Sequence, residues 1–232
     1  MKYFSIMQEF CEKIDLKFDE NMYEKFEIYM KELIKYNENV NLTSITDENQ
    51  IIKRHFIDSI SIFKCDIKKF SYICDVGSGG GFPGIPISIM RSDIKIDLVE
   101  STFKKAKFLS YIISKLNLKN ASVICERIEN VSREKNNIEK YDYVTSRAMA
   151  RLSKLMEMSM SILKIDGQYI AFKGLKYLEE LDECRNAMKV LGGKLNSVID
   201  VDNMSKLIVI DKIKQTPTIY PRNYNVIINK PL

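Results

Sequence analysis

The chain has 232 residues, 45% hydrophobic and 29% charged, with a formal net charge of +5. That composition is globular and excludes a disordered chain. No apolar run approaches the ~20 residues needed to cross a bilayer, and residues 1–10 lack the basic, apolar and small-residue regions of a secretion signal.

Five cysteines (Cys11, Cys65, Cys74, Cys125, Cys184) and a single histidine, His55, are widely spaced, and no pair makes a C-x-x-C. A zinc site needs several such ligands close together. No metal is expected, and the thiols read as reduced and mostly buried, as in a cytoplasmic protein. Charge is unevenly spread. Residues 1–49 carry net −5, residues 101–120 net +5 and residues 203–232 net +4. Basic segments beside an acidic one suggest a polyanion on one face, although Lys-rich helix faces can equally be only solvated.

In chain order, two or three helices come first. Met22, Phe26, Tyr29, Leu33 and Tyr36 recur at three- and four-residue steps and predict a helix over 19–37, capped by Asp19. A polar loop over 37–46 follows, then a helix capped by Asp47 running through Ile51, Ile52, Phe56 and Ile60. From residue 71 the pattern changes to strand–helix alternation. Strands are expected at 71–76, 95–100, 121–125, 141–146 and 167–173. Helices are expected at 85–90, 103–116, 152–163 and 177–191, with a closing antiparallel pair at 194–201 and 206–213. This alternation implies a doubly wound α/β sheet with right-handed crossovers. The division expected is a helical appendage over 1–70 and an α/β core with a basic tail over 71–232.

The first strand ends at Asp75-Val76 and runs into Gly77-Ser78-Gly79-Gly80-Gly81-Phe82-Pro83-Gly84. Glycine permits positive φ there and lets a ligand approach the backbone. The turn lies where such sheets bind nucleotide-type ligands. Gly79 to Gly84 fits G-x-G-x-x-G, which with Glu100 keeps a nicotinamide-dependent oxidoreductase open. Charge favours another ligand. A pyrophosphate beside Asp75 would be repelled, whereas S-adenosylmethionine carries an ammonium and a sulfonium and no phosphate. Glu100, ending the second strand, can accept both ribose hydroxyls. Ile128 and Glu129, after the third strand, would flank the adenine. Arg147 would point into the cleft from the fourth strand, or pair with Asp75 or another acid. Lys173, ending the fifth, could neutralise a phosphate.

Together these segments resemble the RsmG (GidB) family, the bacterial small-subunit ribosomal RNA guanine-N7 methyltransferases. The resemblance is carried by Asn39-Val40-Asn41-Leu42-Thr43, His55-Phe56-Ile57-Asp58-Ser59, Asp75 to Pro86 and Thr145-Ser146-Arg147-Ala148. Thr216-Pro217, Tyr220-Pro221-Arg222 and Pro231-Leu232 close it, so it spans nearly the whole chain. It implies a class I, S-adenosylmethionine-dependent methyltransferase. The fold would be a Rossmann-like, doubly wound, mostly parallel seven-stranded sheet with an N-terminal helical appendage. The substrate would be one guanine of the small-subunit rRNA, free or in the small ribosomal subunit.

Carried over, Gly77 and Phe82 would line the methionine end of the cofactor, and Ile128 and Glu129 would flank its adenosine end. Asp75, Gly79 and Glu100 join them as cofactor-binding candidates on the charge and glycine-turn reading above. Arg147 would be catalytic, beside the transferred methyl. Lys104, Lys105, Lys173 and Arg222 would face RNA. After Arg222 this chain has Asn223-Tyr224-Asn225, where the family often has Lys and Gly. His55 is expected to tie the appendage to the core. No obligate dimer is indicated, so a monomer is expected. A cofactor-binding RNA module without catalysis is the remaining alternative.

Overall fold

A computed structural model describes residues 2–232. Helix α1, Phe4–Lys13, buries Met7 and Cys11. Helix α2, Glu20–Val40, starts where Asp19 Oδ1 accepts from Met22 N–H at 3.0 Å and buries Tyr23, Phe26, Tyr29, Met30 and Leu33. It runs three residues beyond the predicted end. Asn37 does not break it, because its side-chain oxygen accepts from Leu42 and Thr43 N–H and so organises the chain after the helix. The left-handed Asn41 closes it.

Asp47 caps the next helix, accepting from Gln50 N–H at 2.9 Å. The sequence predicts a continuous α-helix here. Instead α3, Glu48–Ile51, widens into a π-helical stretch, Ile52–Ile57, before α4, Asp58–Ile60. The wide turn carries Arg54 and His55; π-bulges of this kind cluster at functional sites.

Strands β1 (Tyr72–Val76), β2 (Lys95–Val99), β3 (Ala121–Ile124), β4 (Tyr141–Arg147), β5 (Leu163–Lys173), β6 (Gly193–Asp200) and β7 (Lys206–Lys212) form a seven-stranded sheet in the order β3-β2-β1-β4-β5-β7-β6. The first five pair in parallel; β7 is antiparallel to both β5 and β6. The switch point therefore lies between β1 and β4, and the C-terminal ends of β1 to β5 share one edge. Helices α5 (Gly84–Met90), α6 (Phe103–Lys115), α8 (Leu152–Ser159), α9 (Tyr177–Glu183) and α10 (Arg185–Leu191) provide the connections.

Strand β5 begins four residues before its predicted start. Leu163 already pairs with Tyr141, then the register shifts so that Tyr143 faces Gln168, which leaves a bulge around the positive-φ Asp166. The helix predicted over 177–191 is two, divided at Cys184. Two short helices, α7 (Ile128–Val131) and α11 (Tyr224–Asn229), were not predicted, since a single turn shows too little periodicity.

Two apolar clusters fill the faces of the sheet. One joins Tyr29, Leu33, Ile52 and Phe56 of the N-terminal helices to Ile73, Leu98 and Phe108 of the α/β part. The other lies under α8 and α10. Among the described residues all five thiols are free, and only Cys125 is exposed. No described helix is long and apolar enough to cross a membrane.

Candidate active site

The glycine turn is shaped from both sides. Gly77 and Ser78 N–H donate to Val99 O of β2 at 2.9 and 3.1 Å, bending the chain as it leaves β1. Gly77, Gly79 and Gly81 have φ of 70°, 58° and 103°. At Gly81 a Cβ would stand 2.6 Å from Tyr29 Oη and 2.7 Å from Ile85, so glycine is required twice over. At Gly79 the nearest atom to a Cβ is 3.8 Å away. There the backbone is open to a ligand. Tyr29 Oη donates to Gly80 O at 2.5 Å, pinning the turn to α2. Sequence reasoning missed this contact because Tyr29 sits in an apolar stripe and reads as core.

Asp75 is turned under the loop rather than out toward a ligand. Its side chain is fully buried, Oδ2 accepts from Gly84 N–H at 3.0 Å, and Oδ1 has no partner. Burial pushes its carboxyl up to about 7, against the pull of Ser78, Gly84 N–H and Arg147. The carboxyl of an unfolded chain titrates near ~3.9. Between those values the folded chain holds a proton that the unfolded chain lacks, so stability falls as pH rises through this window. Asp75→Asn keeps an oxygen for Gly84 N–H and removes the titration. Its melting temperature should fall less than the parent's between pH ~4 and 7; an unchanged slope in thermal melts contradicts this.

Glu100 lies as expected beside the turn at the end of β2. Oε2 accepts from Gly79 N–H at 2.9 Å and Oε1 from Thr102 N–H at 2.7 Å. Each oxygen keeps a second lone pair for a ribose hydroxyl. Ile128 and Glu129 open α7 on the same edge, both buried. Glu129 pairs with Arg127, whose guanidinium lies 3.9 Å from the Tyr224 ring centroid.

Arg147 ends β4 and reaches back to the N-terminal helices. Nη1 donates to Asp58 Oδ2 at 2.8 Å and Arg54 O at 2.9 Å, and Nη2 lies 2.7 Å from His55 Nδ1. Its acid partner is thus Asp58, not Asp75. The guanidinium stands 4.9 Å from the Phe82 ring centroid, and His55 stacks on Phe82 at 4.4 Å. Burial, then the Arg147 charge, pushes the His55 imidazole down to about 4. His55 does tie the helices to the sheet edge.

Two clefts meet at this wall. One, of about 440 Å³, is lined by the glycine turn, Glu100, Lys105 and Thr43. The other, of about 510 Å³, is lined by Asp58, Phe172 and Lys173. Both share His55, Arg147, Ala148 and Met149. Lys173 and Arg222 are committed elsewhere. Lys173 Nζ donates to Ala150 O and Glu180, with 8% of its side chain exposed. Arg222 forks onto the buried Glu157. Contact of either with a phosphate would require breaking its pair. Lys104 is exposed, and Lys105 half-buried at the cleft.

The first cleft suits S-adenosylmethionine. Its floor is open backbone at Gly79, and its rim carries the Glu100 carboxylate, which would repel a pyrophosphate and can accept from ribose hydroxyls. With the sheet order and the antiparallel β7, these features define a class I S-adenosylmethionine-dependent methyltransferase fold. Solved structures share it. A SAM-dependent methyltransferase from Aquifex aeolicus superposes with a TM-score of 0.58 at 16% identity, covering 72% of this chain and 94% of its own. M. jannaschii TYW2, solved in complex with AdoMet, does so with a TM-score of 0.55 at 16% identity, covering 73% and 80%.

Within that class the chain belongs to the GidB family, rRNA small subunit methyltransferase G, whose family model matches residues 22–209. Proteins named ribosomal RNA small subunit methyltransferase G are similar to it over their whole length. Those of Clostridium perfringens and Clostridium tetani are 42% and 40% identical, with 100% of each chain covered.

Proposed function

We propose that this chain transfers the methyl group of S-adenosylmethionine to N7 of a guanine in small-subunit ribosomal RNA, in the cytoplasm, as a monomer. The observation that carries this reading is Arg147, fixed at the wall between two clefts. Gly77, Gly79, Phe82, Glu100, Ile128 and Glu129 would hold the cofactor in the first cleft, with Asp75 shaping the turn from beneath. The second cleft would receive the base. The N-terminal helices contribute Asp58 and His55 to the wall, so the appendage would act with the α/β core as part of one site.

S-adenosylmethionine supplies an electrophilic methyl on a sulfonium. Guanine N7 has a free lone pair at neutral pH, so the chain needs no general base. A histidine held neutral, stacked on Phe82 and bonded to Arg147, agrees with that. What the protein must supply is alignment. Three N–H bonds of Arg147 are spent on Asp58, Arg54 O and His55, leaving others to donate to guanine O6. The base must leave any A-form stack, because N7 lies there in a deep groove.

Lys104 and Lys107, exposed on α6, would contact RNA phosphates. Charge reversal of both should weaken rRNA binding about tenfold or more, flatten its salt dependence, and leave S-adenosylmethionine affinity unchanged. Filter binding across a salt series reads this, and unchanged affinity contradicts the assignment.

The cofactor is tested by melting. Saturating S-adenosylmethionine, at about 100 times Kd, should stabilise the chain by about 2.7 kcal/mol, and NADH should not. Stabilisation by NADH alone would redirect the reading to a nicotinamide-dependent oxidoreductase. Stabilisation by S-adenosylmethionine with no transfer to any RNA would leave a binding module without catalysis.

A further inference from the structure

The hydrogen bonds around His55 fix the direction of every proton in the cluster. Arg147 Nη2 approaches His55 Nδ1 at 2.7 Å, and a guanidinium can only donate. Nδ1 therefore accepts. Arg54 O also lies 3.2 Å from Nδ1 and accepts from Arg147 Nη1 at 2.9 Å, but an Nδ1 that accepts from the guanidinium carries no hydrogen to give it. A neutral imidazole accepting at Nδ1 carries its hydrogen on Nε2. Nε2 lies 2.7 Å from Thr43 Oγ1, so the ring donates to the threonine. Ile45 N–H donates to the same oxygen at 3.0 Å. Both lone pairs of Thr43 Oγ1 are then taken, and its own hydrogen has to donate outward. Thr43 lines the first cleft together with Gly77 and Lys105.

We infer that Thr43 is a dedicated hydrogen-bond donor to the carboxylate at the amino-acid end of S-adenosylmethionine, locked in that role by His55. A hydroxyl that can only donate selects an acceptor, and an anionic one most strongly. Lys105, on the same cleft, adds positive charge for the same group. The Thr43–His55–Arg147 chain then links the amino-acid end of the cofactor to the residue that faces the base. This inference rests on the cofactor assignment above and adds a site residue that the glycine-turn pattern does not reach.

Because His55 is the chain's single histidine, its nitrogen signals can be read without assignment. Long-range ¹H–¹⁵N correlation spectra should show the Nε2–H tautomer, neutral at pH 7. The Nδ1–H pattern would overturn the inference, since Thr43 could then donate to the ring instead. Calorimetry supplies the second arm. Thr43→Val should weaken S-adenosylmethionine binding about tenfold, whereas Thr43→Ser stays within about twofold of the parent. Methylthioadenosine, which lacks the carboxylate, should bind parent and Thr43→Val alike. Equal losses for both ligands would mean that Thr43 only shapes the cleft, and would overturn the proposal. A parent chain that binds neither ligand would overturn the cofactor assignment itself.

Discussion

Arg147→Ala lowers kcat for methyl transfer by about 100-fold or more, because an aligning donor acts on the transition state. It weakens S-adenosylmethionine binding by no more than the roughly tenfold expected of Thr43→Val, since it frees the His55 tautomer that fixes Thr43. The variant also loses stability. The Arg147–Asp58 pair is only 13% exposed on each side. Breaking a buried pair by removing one partner costs about 3–5 kcal/mol. Burial already holds the Asp58 carboxyl above its ordinary value despite Arg147. Without the guanidinium it rises further, and the carboxyl can neutralise itself by taking a proton. The stability loss should therefore be larger at pH 8 than at pH 5. Arg147→Ala with Asp58→Asn recovers much of the stability and none of the activity. Single-turnover assays and paired melts separate the two effects. Transfer within a few-fold of the parent would remove Arg147 from the reaction.

Gly81→Ala has the largest expected effect on the fold. A left-handed residue other than glycine costs ~1–2 kcal/mol. The added Cβ would also meet Tyr29 Oη and Ile85 well inside contact distance. Tyr29 cannot withdraw without releasing Gly80 O inside the core. The combined loss should exceed about 3 kcal/mol, a fall of roughly 10 °C for a chain this size. Gly79→Ala is the contrast. Its Cβ would meet nothing closer than 3.8 Å, so only the φ strain is added. Its melting temperature should fall far less, yet its cofactor affinity should collapse, because the methyl occupies the ligand's approach. Differential scanning calorimetry and a cofactor titration on the two variants give opposite rankings. The same ranking in both assays contradicts this division of labour within the turn.

The glycine turn, the Glu100 carboxylate and the sheet were legible because periodicity and chain order determine them. Strands of the α/β part alternate with amphipathic helices at spacings that admit one architecture, and the acid after β2 falls at the sheet edge by topology. What was not legible depends on contacts across long stretches of chain. The partner of Arg147 is Asp58, eighty-nine residues away. The π-helical stretch that turns Arg54 and His55 toward it has the same local pattern as an α-helix. Asp75 was expected to face the cofactor. Which face of β1 its side chain takes is set by the sheet, and that face lies under the loop. Lys173 and Arg222 were marked by charge, but charge does not reveal that Glu180 and Glu157 already hold them.

Methyl transfer to guanine N7 at the Arg147 wall can be read by incubating the protein with tritiated S-adenosylmethionine and small ribosomal subunits that lack the modification, then mapping the label. Label should appear at N7 of a guanine in the small-subunit rRNA and be absent with Arg147→Ala. Label on another atom or base, or none on subunits or free rRNA despite cofactor binding, would contradict transfer to N7.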